Sequence, residues 1–177
     1  YLRVIYNPDD ELSLLRMINV PRRGIGRKTV AELADWSAAL GLSMGGALRY
    51  LTQHREDDDV LASAPFARRA QRSLLSLGCL IDELIEQGAG LSLSEILHSV
   101  LERTNYLDSL SDGTEEGKDR VSNVRELFSA VERYDRMPLD AALPGFLEEA
   151  ALATDVDRLD WDADAATLLT LHAAKGL

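Results

Sequence analysis

Four basic side chains and two glycines fall within seven residues, Arg22-Arg23-Gly24-Ile25-Gly26-Arg27-Lys28, with Thr29 following. That combination suits an oxyanion. Glycine reaches positive φ and leaves its backbone N–H uncovered by a side chain. Guanidinium and ammonium groups neutralise phosphate oxygens. A helix starting just after the glycines would aim the positive end of its dipole at the same point. Two readings stand side by side. Either the stretch cradles the phosphate backbone of a nucleic acid, or it is a sharp interhelical turn with solvated arginines.

Other candidate chemistry is weaker. Asp57-Asp58-Asp59 lack the glycine-bearing pattern of a calcium loop and read as a solvated acidic loop. His98 has no second ligand near it in sequence, and Cys79 sits among Leu77, Leu80 and Ile81 as a buried thiol. Arg68, Arg69 and Arg72 form a second basic group, either a solvated face or a second phosphate-facing patch. No metal site is expected.

Helices must position the basic stretch. Asn7-Pro8-Asp9-Asp10-Glu11 reads as a helix start, with Asn7 as cap and Pro8 in the first turn. That helix runs to Asn19 with Leu12, Leu15 and Ile18 inward, and Pro21 stops it. A second helix buries Val30, Leu33, Ala34, Ser37 and Leu40 and ends on Gly41 as a left-handed cap. Ser43 caps a third, with Met44, Ala47, Leu48 and Leu51 inward. A long helix spans residues 65–87 on Leu74, Leu77, Ile81 and Leu84. Ser92-x-x-Glu95 is a capping box before Ile96, Leu97, Val100 and Leu101. One or two turns follow over 105–110, then a loop to Lys118. Helices are expected over 119–135 and 140–152, with Pro144 placed in the first turn of the latter. Residues 154–166 read as acidic and irregular, and 166–171 as a strand with no partner here.

The expected class is therefore all-α: seven to eight helices with a short strand-like C-terminal segment. The chain has 177 residues, enough for one domain with a real core. Its net charge of −11 excludes broad coating of nucleic acid, so any such contact must be a local basic patch on an acidic body. One cysteine forms no internal disulfide, which fits a reducing compartment, and a cytoplasmic location is expected. No apolar run reaches membrane-spanning length, and no membrane partner is expected. Opening on Tyr1 and stopping at Leu177, the sequence reads as a piece of a longer protein.

Two stretches carry a family resemblance. Tyr1-Leu2-Arg3-Val4-Ile5-x-Asn7-Pro8, continuing through Leu14-Leu15-Arg16-x-Ile18-Asn19-x-Pro21-x-Arg23-Gly24-Ile25-Gly26, resembles bacterial superfamily 1 DNA helicases of the UvrD/PcrA/Rep group. Leu169-Thr170-Leu171-His172-Ala173-Ala174-Lys175-Gly176-Leu177 is similar to that family's motif V, and Arg120-x-x-Asn123-x-x-Glu126-Leu127 is a lesser match. The resemblance implies the following division. Residues 1–8 end a RecA-like domain, 9–163 form the inserted helical domain called 2B, and 164–177 return to the RecA-like domain. It implies contact of Arg22, Arg23, Gly24, Ile25, Gly26, Arg27, Lys28 and Thr29 with the duplex backbone at a fork. It places Thr170 and His172 on the single-stranded track.

The resemblance also implies a parent that uses ATP and Mg²⁺. This chain has no Gly-x-x-x-x-Gly-Lys-Thr phosphate loop and no acidic metal-binding pair after a strand. The segment alone is expected to be inactive, with no cofactor and no catalytic residue. DNA, the neighbouring helicase domains, and repair or replication proteins are the expected partners. A rival reading is a protein-interaction or autoinhibitory module that does not bind DNA directly.

Overall fold

Asp10, rather than Asn7, opens the helix that leads into the basic stretch. Its carboxylate accepts from the Ser13 amide at 3.0 Å and the Ser13 hydroxyl at 2.7 Å. These hydrogen bonds, the hydroxyl's first, hold the carboxyl below its ordinary range. Asn7 instead ends a preceding helix, α1 (Leu2–Tyr6), and the capped helix is α2 (Glu11–Met17). This later start rotates the buried face away from the expected stripe. Leu14, Met17 and Ile18 are buried, whereas Leu12 and Leu15 are exposed.

The computed structural model describes residues 1–88 and 90–157. The strand expected over 166–171, with Thr170 and His172, lies outside the described residues. Within them the fold is all-α, with ten α-helices and one 3₁₀ turn. After the basic stretch come α3 (Arg27–Leu40) and α4 (Met44–Gln53). Gly41 ends α3 at φ 67°, and Ser43 caps α4 through the Gly46 amide. The expected acidic loop is in part a helix, α5 (Asp58–Ser63), because Asp57 accepts from the amides of Asp59 and Val60.

The long helix α6 (Arg68–Gly88) follows, then α7 (Leu93–Thr104), which carries the expected capping box of Ser92 and Glu95. The short α8 (Tyr106–Leu110) leads to α9 (Glu115–Val131). This last helix starts four residues before its expected position, since Thr114 caps the Gly117 amide. A 3₁₀ turn (Glu132–Tyr134) and α10 (Leu139–Asp157) complete the described chain. Residues 154–157, expected to be irregular, continue α10, and Pro144 lies inside that helix rather than in its first turn. Burial of Ala142, Leu143 and Phe146 around the proline offsets its missing backbone donor.

Two apolar clusters organise the packing. The first joins Leu14, Met17, Ile18, Ile25, Leu33, Leu48 and Leu51 to Leu74, Leu77 and Ile81 of α6. The second joins Leu84 of α6 to α7, Val131, and Leu143 and Phe146 of α10. In α1, Val4 enters the first cluster and its neighbour Ile5 the second. Close approach between helices depends on two small residues. A side chain at Gly45 would meet the backbone carbonyl of Pro8, and one at Gly78 would meet Thr52 of α4. Thr52 is buried and donates to Asp82 of α6 at 2.7 Å.

The Pro8 carbonyl is backbone and cannot rotate aside. Gly45→Ala should therefore lower stability by about 1–3 kcal/mol through forced separation of α4 from the α1–α2 loop. Gly90→Ala has open space around it and should leave the melting temperature unchanged. Thermal unfolding followed by circular dichroism compares the two.

Candidate nucleic-acid interface

The hairpin between α2 and α3 is built from the inside out. Ile25 is 2% exposed and belongs to the first core cluster, so its side chain anchors the turn instead of facing a ligand. The Asn19 carboxamide oxygen accepts from the amides of Arg23 at 2.8 Å and Ile25 at 3.3 Å. One side chain thus substitutes for a missing backbone ladder across the turn. The Val20–Pro21 peptide bond is cis.

The two glycines differ. Gly24 has φ 77°, a conformation that favours glycine, whereas Gly26 is extended at φ −89° and ψ 176°. The expectation of positive φ thus holds for Gly24 alone. A side chain at either position would point into open space. Gly26 is the N-cap of α3 and supplies no capping side chain. The first amides of α3, on Arg27, Lys28 and Thr29, have no acceptor inside the helix. They face the mouth of the turn with the positive end of the dipole behind them.

Arg22, Arg27 and Lys28 are exposed around this mouth. Lys28 is 3.7 Å from Glu32, one turn along α3, an exposed pair of little energetic weight. Thr29 is largely buried, at 8% exposure. Arg23 is half-buried with its guanidinium turned inward onto backbone carbonyls.

The second basic group lies across a groove from the hairpin. An open groove of about 750 Å³ is lined by Arg22 and Arg23 on one side and Arg69, Arg72 and Arg103 on the other. Arg103 is paired with Glu83, the single acidic residue lining the groove. Arg69 and Arg72 are exposed. Cys79 is half-buried on the groove wall, not buried as its apolar neighbours imply. His98 pairs with Glu102 at 3.3 Å on the surface of α7. Among the described residues no group of three His, Cys, Asp or Glu side chains is placed to hold a metal ion. No described helix is long and apolar enough to cross a membrane.

A family model described as the UvrD-like helicase C-terminal domain matches residues 1–177. The chain belongs to that family. It is 34% identical over its whole length to the ATP-dependent DNA helicase PcrA of Bacillus subtilis, covering 24% of that protein. It is 32% identical to the PcrA helicase of Staphylococcus aureus and 33% identical to that of Staphylococcus epidermidis, again over its whole length and 23% of theirs. The chain thus spans about a quarter of the length of these relatives.

Within this UvrD-like domain, sequence reasoning found the hairpin but not its organiser. Asn19 read as the last residue of the helix, and nothing in its spacing showed that it would hold two amides of the turn. The groove joining Arg22 to Arg69 and Arg72 has no local sequence signal, because about fifty residues separate its walls.

Asn19→Ala leaves two turn amides without their acceptor. It should cost about 1–2 kcal/mol, lowering the melting temperature by roughly 2–8 °C. Asn19→Asp keeps the acceptor oxygen and should retain most of that stability. Calorimetry of both variants measures the difference.

Proposed function

We propose that this domain belongs to an ATP-dependent DNA helicase and holds the duplex backbone ahead of the fork without reading its sequence. What carries this reading is the uncapped start of α3. Gly26 leaves the first-turn amides open, and open space lies where side chains at Gly24 and Gly26 would sit. Gly26 has neither a positive φ nor a packing neighbour to require it, so an approaching ligand backbone is a sufficient reason for a glycine there.

The roles divide accordingly. Backbone amides at Gly24, Gly26, Arg27, Lys28 and Thr29 supply donors for phosphate oxygens, and Ile25 holds the turn in the core. Arg22, Arg27 and Lys28 supply mobile charge, and Arg69 and Arg72 extend it across the groove. Such contacts position a duplex and carry no base information. Binding should be in the non-specific range, on the order of 10⁻⁴–10⁻⁶ M, and weaken with salt.

The parent's ATP and Mg²⁺ do not fit the residues of this chain, which has no phosphate loop. In this reading the motor lies outside residues 9–163, which form the inserted 2B domain regulating it. Residues 1–8 and 164–177 connect to a RecA-like domain, with Thr170 and His172 on the single-stranded track. One observation favours a second reading, a docking module without DNA contact: Leu12 and Leu15, one turn apart on α2, are 73% and 42% exposed. Another helicase domain, or a repair or replication protein, would cover them.

Fluorescence anisotropy with a labelled blunt duplex separates the readings. Arg22→Ala/Arg27→Ala should weaken binding and reduce the salt dependence by about one phosphate contact per arginine. Gly26→Val should weaken binding while costing at most about 1 kcal/mol of stability at an N-cap position. Binding that ignores salt and both variants would favour the docking module.

A further inference from the structure

The two adjacent arginines of the hairpin have different surroundings. Arg22 is exposed, with no polar partner among the described residues. Arg23 donates through Nη1 to the carbonyls of Met17 at 3.2 Å, Val20 at 3.0 Å and Pro21 at 3.1 Å. Its Nη2 donates to the Tyr1 phenol oxygen, and its guanidinium carbon is 5.6 Å from the Tyr1 ring centre. The Tyr1 hydroxyl in turn donates to the Val20 carbonyl at 2.5 Å. A bidentate phosphate contact uses paired N–H groups of a guanidinium, end-on through Nη1 and Nη2 or side-on through Nε and an Nη. In Arg23 both Nη groups are engaged, by the carbonyls of Met17, Val20 and Pro21 and by a phenol.

Tyr1 is well placed to hold this arrangement. Its ring packs edge-on against Tyr106, with centroids 6.3 Å apart, and contacts both core clusters. Burial raises its phenol above the ordinary value, against the opposing pull of Arg23, so the hydroxyl is protonated and donates at neutral pH.

We infer that Arg23 is a positioning residue, not a phosphate ligand. With Tyr1 it forms a strut that fixes the amide cradle of residues 24–29. Tyr1, twenty-two positions away in sequence, thereby controls duplex affinity without touching the duplex. This rests on the proposed duplex contact for its functional consequence, but the strut itself is a property of the free protein.

Two measurements test it on the full-length protein carrying these residues. The first is blunt-duplex anisotropy across a salt series. Tyr1→Phe keeps the packed ring and removes both hydroxyl bonds; Arg23→Lys keeps the charge and removes the fork. Each should weaken binding about three- to tenfold, the scale of one hydrogen bond, with the salt slope unchanged. The Tyr1→Phe/Arg23→Lys double variant should bind no more weakly than Arg23→Lys alone. Arg22→Lys should stay within about twofold, because its charge suffices there.

Wild-type affinity in Arg23→Lys, together with a slope reduced by one in Arg23→Ala, would make Arg23 a phosphate ligand and overturn the inference. The second measurement is amide hydrogen exchange of residues 19–29 without DNA. Exchange should accelerate in Tyr1→Phe and in Arg23→Lys; unchanged exchange in both would remove the strut. A wild-type protein that binds no duplex would defeat the duplex-contact reading, while the exchange data would still decide the strut.

Discussion

Burial of α6 on two sides is the constraint on which the rest of the domain depends. Leu74, Leu77 and Ile81 enter one apolar cluster and Leu84 the other. α1 and α4 pack directly on α6 from one side and α7 from the other, while α10 closes the second cluster against α1 and α7. The hairpin inherits its position from this arrangement, because Met17, Ile18 and Ile25 belong to the same cluster as Leu74 and Leu77. A turn rooted in a core keeps its outer amides in place without ligand present. Preorganised donors of that kind bind an anion with little ordering cost.

The charge distribution follows from the same geometry. The chain carries net charge −11, yet the hairpin and the start of α6 face each other across a groove lined by five arginines and one glutamate. One of those arginines is neutralised by that glutamate. Acidic residues elsewhere cap helix starts, as Asp10, Asp57 and Glu95 do, where the dipole favours them. Locally concentrated positive charge on a negative body limits a nucleic acid to one approach. In the proposed reading that contact is weak and carries no sequence information.

Much of the architecture was legible from local signals. Gly41, Ser43 and the Ser92–Glu95 box marked real helix ends, because capping chemistry is contained within four residues. The errors arose where two local signals competed. Asn7 read as the cap where Asp10 is the cap in fact, and that difference determined which leucines of α2 are buried. Likewise Thr114 outcompeted the glycine and polar residues that read as loop. In the hairpin, the glycines and proline marked the turn between α2 and α3, but the paired arginines looked equivalent.

The sequence by itself determined that this is an all-α domain with one basic, glycine-bearing turn, and its end motifs carried the family. Periodicity, caps and composition are short-range properties, so they are readable without coordinates. Only the tertiary structure decided which arginine faces outward, that Asn19 and Tyr1 hold the turn, and that Arg69 and Arg72 lie across a groove from it. Those facts depend on contacts between residues far apart in the chain. Such contacts exist only once the core around α6 has brought the helices together.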